Sequence, residues 1–303
     1  MPNPQRRYGA NPETGAFEWP EFYCHSIQIN NIATGSGTAF SPYEVKLDSD
    51  RPFQFMKTMY FVGNGSSGGP YDIDVFVKYR DESKYLTKRA TLLRNLAGRS
   101  LPVDNSGARD FRPFIWPKAY RSSPSSVFTV EASSASALYT PNVYISFLGA
   151  KINQGVAPWK VPGLKKIPYV YPIPANLTTQ PEGQVQLAAN QSITQPILID
   201  KNCDFLTQAL VGSASGEALI SITEGGRDKV WFNQAAHFWN IVGNGCYPNV
   251  LPSMKLSPGG STVNVTIQDL SGATNNITLA LVGMKVFGLS ADSIQEYQAQ
   301  TGG

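Results

Sequence analysis

Apolar and polar residues alternate along this chain in short runs. Ile73, Val75, Val77 and Tyr79 alternate with other residues, as do Phe128 and Val130, and Val263, Val265 and Ile267. In an extended chain, residues i and i+2 share one face, so each run predicts a half-buried β-strand. Clusters of Gly, Pro, Ser and Asn separate the runs and supply turns. Many short strands with such turns read as a sandwich or jelly roll. One stretch departs from the pattern. Ser83 to Ala97 places Leu86, Ala90, Leu93 and Ala97 three or four residues apart, with Lys84, Lys88, Arg89 and Arg94 between them. That spacing predicts an amphipathic helix, inserted near 83–97, whose basic face (84–99) is either solvated or a contact for acidic protein or nucleic acid.

The strand pattern occurs twice. Leu47-Asp48-Ser49-Asp50-Arg51-Pro52-Phe53 leads to Tyr60-Phe61-Val62-Gly63; Ile199-Asp200-Lys201-Asn202-Cys203-Asp204-Phe205 leads to Leu210-Val211-Gly212. Further on, Ser122-Ser123-Pro124-Ser125-Ser126 precedes one alternating strand, and Leu256-Ser257-Pro258-Gly259-Gly260-Ser261 precedes its counterpart. The closing strands end as Leu148-Gly149-Ala150-Lys151-Ile152 and Val282-Gly283-Met284-Lys285-Val286. A duplication at this spacing fits about two domains. The expected fold is all-β: two tandem antiparallel β-sandwich (jelly-roll-like) domains with an extended N-terminal arm. The arm covers 1–20, copy one 21–152, a Pro-rich linker 153–183, copy two 184–287 and a tail 288–303. The linker holds Pro158, Pro162, Pro168, Pro172, Pro174 and Pro181 and reads as an extended spacer.

Composition narrows the function classes. Charged residues are 16% of the chain, below the usual ~25%. The formal net charge of +3 lacks the excess of a dedicated nucleic-acid binder, so no specific nucleic-acid partner is expected. No apolar run nears the ~18 residues of a membrane-spanning helix, and no membrane partner is expected. Met1-Pro2-Asn3-Pro4-Gln5-Arg6-Arg7 has no apolar core of a secretory signal, so folding in a cytoplasm is expected. Cys24, Cys203 and Cys246 have no ligand-like spacing and read as buried free thiols.

Candidate chemistry is sparse. Gly63-Asn64-Gly65-Ser66-Ser67-Gly68 matches a dinucleotide-binding spacing, but Gly69-Pro70 and a strand follow where a helix is required, so it reads as a hairpin loop. His25 and His237 stand alone, and His237 lies among Phe232, Phe238 and Trp239, which predicts packing. Gly212-Ser213-Ala214-Ser215-Gly216 has Ala where a nucleophile elbow needs Ser. Asp72 and Asp74 share a strand face without further ligands. Asp48, Asp50, Asp200 and Asp204 flank strand starts and read as turn formers. The N-x-S/T triplets at Asn64, Asn176, Asn190, Asn264 and Asn276 are compositional. The expectation is a non-enzyme without catalytic residues, cofactor or metal.

The run Asp204-Phe205, Gly226-Arg227-Asp228, Leu251-Pro252-Ser253, Asp269-Leu270-Ser271-Gly272-Ala273, Asn276 and Leu281-Val282-Gly283-Met284-Lys285 resembles β-rich virion proteins of tailed bacteriophages. It covers roughly 100 residues of copy two and, more loosely, copy one. The resemblance implies an accessory structural role: capsid decoration or a head–tail neck component, located in the virion after assembly in the host cytoplasm. Its implied partners are further copies of the chain, a trimer among the arrangements, and other virion proteins such as the major capsid protein or portal. Arg6, Arg7, Phe17, Trp19, Phe22 and Tyr23 are the expected inter-subunit contacts, because aromatics follow a basic, irregular segment. Two alternatives stand beside this. A double jelly-roll capsid protein would form pseudo-sixfold capsomers from three chains. A carbohydrate-binding protein would expose Trp116, Trp159, Trp231 or Trp239, and a glycan array separates it from the others.

Overall fold

Alternation becomes strand wherever a sheet neighbour is available. The computed structural model describes residues 18–288 apart from 35–39, 64–72, 88, 100–112, 156, 161–162, 175–183, 226–228 and 245–247. The first half contains β1 (Glu18–Ile29), β2 (Ser41–Lys46), β3 (Phe53–Gly63), β4 (Val75–Asp81), β5 (Lys84–Tyr85), β6 (Thr91–Leu92), β7 (Gly98–Arg99), β8 (Phe114–Ser122), β9 (Val127–Ser134) and β10 (Asn142–Gln154). The second contains β11 (Lys165–Ile173), β12 (Val185–Leu187), β13 (Ser192–Leu198), β14 (Asp204–Ala214), β15 (Ala218–Glu224), β16 (Lys229–Val230), β17 (Ala236–His237), helix α1 (Phe238–Ile241), β18 (Asn249–Ser257), β19 (Thr262–Asp269) and β20 (Asn275–Phe287).

Pairing is nested in both halves. In the first, β1 pairs β10, β2 pairs β9, β3 pairs β8, and β4 pairs β5 and β6. In the second, β11 pairs β20, β13 pairs β19, β14 pairs β18, and β15 pairs β16 and β17. The sheets therefore run β1-β10-β3-β8 over β2-β9-β4, and β11-β20-β14-β18 over β13-β19-β15. Outer strands wrapping inner ones across two sheets is the jelly-roll arrangement. The two halves share one strand order.

Alternating side chains fill the space between the sheets. Phe55 centres the first core, with ring centroids of Phe53, Phe128 and Phe147 at 4.8, 4.7 and 5.5 Å. Val263, Val265 and Ile267 of β19 are fully buried in the second, beside Ile220 and Ile222 of the same sheet and in one cluster with Leu281 of the other.

The repeat motifs do the same work twice. β3 and β14 each carry an irregularity two to four residues after Phe53 and Phe205, where the neighbouring β10 and β20 approach closely. A Cβ on Gly149 would lie 2.0 Å from the Gln54 carbonyl, and one on Gly283 2.1 Å from the Leu206 carbonyl. Only glycine fits there. Two residues on, Lys151 contacts Asp48 at 2.7 Å and Lys285 contacts Asp200, and each ammonium lies over a tyrosine ring, Tyr23 at 4.2 Å and Tyr169 at 3.4 Å. Asp48 and Asp200 are thus ion-pair partners of the repeat lysines, beyond the turn-forming role expected of them.

Three expectations are corrected. No helix forms over 83–97 among its described residues. The chain reverses at Glu82 (φ 51°), Lys84–Tyr85 returns along β4, and only Leu93–Asn95 makes a single 3-10 turn. Leu93 and Ala97 are buried and Leu86 is partly so, because the turns beside β5, β6 and β7 deliver them to the core at a spacing that mimics a helix stripe. The linker's aromatics Trp159, Tyr169 and Tyr171 predict that it lies against protein, and the described residues of 153–183 go further, entering strands rather than spacing the copies apart. Asn153 and Gln154 end β10, Trp159 is buried, and Lys165–Ile173 is the edge strand β11. Pro168 and Pro172 are tolerated because an edge strand has one side without ladder bonds. The arm is shorter than 1–20, because Glu18, Trp19 and Pro20 pair with Gln154, Asn153 and Ile152.

Gly149→Ala and Gly283→Ala each are expected to lower stability by about 3 kcal/mol, since the new methyl meets backbone that cannot yield. Urea unfolding of the single variants reads this, and an unchanged midpoint refutes the close-approach role.

Candidate assembly interface

One sheet face of the first jelly roll does not meet solvent. Phe22 and Cys24 of β1, Met59 and Phe61 of β3, and Tyr144 and Leu148 of β10 point away from their own core. They join the cluster built by Trp231, Phe232, Phe238 and Trp239 of the second half. Phe22 meets Trp231 and Phe232 edge-on, and His237 stacks on Phe61 at 3.8 Å and 8°. The second jelly roll contributes an edge: Trp231–Asn233, β17, α1 and β18.

Backbone and amide bonds fix the register of this junction. Cys24 N–H donates to the Trp231 carbonyl at 3.0 Å, and Asn233 N–H to the Cys24 carbonyl at 3.2 Å. This adds a short parallel strand to the open side of β1. Asn240 Nδ2 donates to the Tyr144 carbonyl at 2.9 Å, and Asn233 Nδ2 and Gln234 Nε2 donate to the Ser26 carbonyl.

At one corner sit four charges. Lys255 Nζ lies 2.9 Å from Glu21 Oε1 and 4.0 Å from Glu224 Oε1, and Arg51 lies 3.5 Å from Glu21 Oε2. Lys255 and Glu224 are buried at 3% and 2% exposure, so each needs its counter-charge. Burial would raise the Glu21 carboxyl, but Lys255, Lys229 and Arg51 outweigh it and hold Glu21 below its usual value. Burial dominates at Glu224 and holds it above.

The junction is heterologous: a sheet face on one copy, an edge on the other. Among the described residues, the face of the second copy that matches the covered one is exposed. Val170 is 48% exposed where its match, Cys24, is buried, and Pro168 and Pro172 beside it are exposed.

The expected contact residues fall differently. Phe22 and Tyr23 are buried inside this chain, at 0% and 3%, and are not available to a neighbour. Trp19 packs edge-on against Trp159 at 5.1 Å. β1 draws all three into the fold because its twelve residues pair continuously with β10. Arg6, Arg7 and Phe17 lie outside the described residues. So do Cys246, Asp72, the arm, the tail beyond 288 and the 64–68 loop. Asp74 pairs with Arg94 at 3.3 Å. His25 is buried between Tyr23 and Phe53, and burial lowers it to about 4; burial lowers His237 to about 3. Burial pushes the Cys24 thiol up to about 12. Trp231, Trp239 and Trp159 are buried, not exposed as sugar-stacking platforms would be, and Trp116 is partly buried against the first core. Asp269, within the motif Asp269-Leu270-Ser271-Gly272-Ala273, accepts bonds from Ser271 Oγ at 2.6 Å, Asn190 N–H at 2.9 Å and Asn275 Nδ2 at 3.0 Å, and so organises the last turn.

Lys255→Met is expected to cost about 3–5 kcal/mol, because two buried carboxyls lose their counter-charge. Replacing Lys255, Glu21 and Glu224 together with apolar residues is expected to recover most of that, read by urea unfolding. His237 gives a pH signature. Its folded value near 3 lies below the ordinary 6.5, so between these the unfolded chain binds the extra proton. Stability therefore falls as pH drops through that window. His237→Phe should flatten the fall in urea midpoint between pH 7 and pH 4, and equal slopes would refute the assignment.

No family model and no curated protein matches the chain. Among solved structures it is similar to a chain of Sulfolobus turreted icosahedral virus, with 12% identity over 88% of this chain and a TM-score of 0.24. The alignment spans 61% of that virus chain, less than two thirds. It is similar to the ANXUR2 extracellular domain from Arabidopsis thaliana, with 8% identity over 82% of each chain and a TM-score of 0.22. It is also similar to a chain of Macrobrachium rosenbergii nodavirus, with 12% identity over 93% of this chain and 94% of that one, at 0.20. Scores this low support neither a fold nor a role.

Proposed function

We propose that this chain is a structural subunit of a virion and builds a shell from copies of itself. The observation that carries the reading is the heterologous junction between two jelly rolls of one topology. One face–edge pair is used up inside the chain. Among the described residues, Pro168, Val170 and Pro172 on the matching face of the second copy and Asn95 on the matching edge of the first are exposed. Heterologous contacts that repeat close into rings when the rotation permits. Jelly rolls recur in viral capsid domains. Three chains would place six jelly rolls around one axis, a pseudo-sixfold capsomer. The buried histidines and buried Cys24 thiol favour a non-catalytic role.

The tailed-phage accessory role implied by the sequence resemblance uses the same oligomer on a shell made by another protein. Shell-building is the better supported of the two, because the open surfaces match surfaces of the chain itself.

Purified chain should sediment with the mass of three copies and appear as six-lobed rings in negative stain. A monomer at every concentration overturns the proposal. A stable oligomer that coats a preformed capsid, but forms no shell with its own kind, replaces it with the decoration role.

A further inference from the structure

The exposed face on the second jelly roll repeats a face that is covered inside the chain, and the charges around Glu21 and Lys255 mark the difference between the two. We propose that the edge of the first jelly roll of another copy docks on the β11-β20-β14 face, while the Glu21–Lys255 cluster keeps the second jelly roll's edge off it. This rests on the self-assembly reading above and adds its surfaces and their selectivity.

At its described positions the edge of the first copy repeats the edge of the second. Leu86 matches Trp231: the N–H of Leu86 bonds to the Tyr79 carbonyl at 2.8 Å, and that of Trp231 to the Ile222 carbonyl at 2.9 Å. A short helix follows in each, opening after Leu92 (φ −64°, ψ 133°) and after His237 (φ −63°, ψ 130°). Asn95 therefore matches Asn240, the residue whose amide grips the Tyr144 carbonyl. Asn95 is the same residue type and is exposed.

The receiving face repeats as well. Cys24 pairs Leu148 and Val170 pairs Val282, each next to the repeat glycine on the closing strand, so Val170 offers the open strand side that Cys24 offers to Trp231. Thr278 takes the place of Tyr144. Pro172, Val211, Ser213, Thr278 and Ala280 line a depression of about 470 Å³ on this face. It is apolar, with small side chains, and suits Leu86 and Asn95 on an incoming edge.

The corner that holds the charges is where the two junctions differ. Glu21 pairs Lys151 and Ile167 pairs Lys285, so Ile167 stands in the place of Glu21. Cys203 stands in the place of Arg51, two residues before the repeat phenylalanine. On the edge, Tyr120 pairs Phe55 as Lys255 pairs Thr207. Asp81 closes β4 as Glu224 closes β15. Tyr120 Oη and Ser122 Oγ each donate to Asp81 Oδ2 at 2.7 Å, so this carboxylate holds two donors of its own, while Oδ1 is buried without a hydrogen-bond partner among the described residues.

The four combinations then rank themselves. The second edge on the first face gives the paired charges seen within the chain. The first edge on the second face sets Asp81, held through Oδ2 by Tyr120 and Ser122, against Ile167. The second edge on the second face would bury Lys255 and Glu224 against Ile167 and Cys203, leaving Glu21 and Arg51 without replacement. The first edge on the first face would bring Asp81 against Glu21, two carboxylates. Strict alternation carries the smallest penalty, because Asp81 keeps two donors of its own, and alternation is what a closed ring of two-part chains requires.

The test uses the full chain. Ile167→Asp faces Asp81 with a second carboxylate, while Ile167 is 38% exposed in the single chain and its loss should leave folding intact. The expected result is an at least tenfold weaker self-association by sedimentation, with an unchanged urea midpoint. Adding Tyr120→Lys recreates the Lys255 geometry and should restore the oligomer. Ile167→Asp with wild-type assembly, or a double variant no better than the single, overturns the inference and leaves the shell reading standing. A wild-type chain that never associates overturns both. A lowered urea midpoint in Ile167→Asp would assign the residue to the fold, and Asn95→Trp, fully surface-placed, then decides: unimpaired assembly overturns the inference.

Discussion

The structure depends on an apolar sheet face that cannot stay in water. β1, β3 and β10 must bury one face against β2, β4 and β9 to make a jelly roll at all. Their other face carries Phe22, Met59, Phe61 and Leu148, each of which gains about 1.5–3 kcal/mol on full burial. The second jelly roll is the lid for that face. Its edge is shaped for the purpose by Trp231, Phe232 and Phe238, and its orientation is set by hydrogen bonds to backbone atoms of β1 and β10. The apolar contact supplies affinity between the halves, and the polar contacts select one way of meeting.

Duplication explains the rest of the architecture, and divergence explains its asymmetry. The parts that hold each sandwich closed are kept in both copies: the glycine at the close approach, the lysine two residues on, its aspartate and the tyrosine beneath. The parts that face outward have drifted. A charge network stands at one corner of the chain, and an isoleucine and a tyrosine–aspartate pair occupy the matching places. Residues within a sandwich answer to its own packing, whereas outward residues answer to whichever neighbour they meet.

The sandwich was legible because its signals are local. Alternation in β9 and β19, the serine- and glycine-rich turns before them and the Gly-X-Lys endings of β10 and β20 lie within about thirty residues of one another in each copy. What failed was non-local. Leu86, Leu93 and Ala97 have helical spacing, but the spacing cannot register the turn at Glu82 or the pairing of Thr91–Leu92 with β4. Proline density in 158–174 suggested a spacer, because one strand edge without ladder bonds is visible only once β20 lies on the other side. Phe22 and Tyr23 looked like contact residues because nothing near them shows that β1 pairs with a strand more than a hundred residues away. The candidate interface was least legible of all. Glu21 and Lys255 are 234 residues apart, and neither lies in a motif.

The nesting of strands has a consequence for synthesis of the chain. β1 has no partner until β10, ending at Gln154, has left the ribosome. When the first jelly roll then closes, its outer face has no lid, because Trp231 through Lys255 have yet to be made. At about 5–20 residues per second, that second hundred residues takes on the order of 5–20 s. For that interval the nascent chain displays a wide greasy sheet beside many identical chains on the same message. Speed of translation, and chaperones that shield one face while the next hundred residues emerge, therefore govern the yield of this protein as directly as its final stability does.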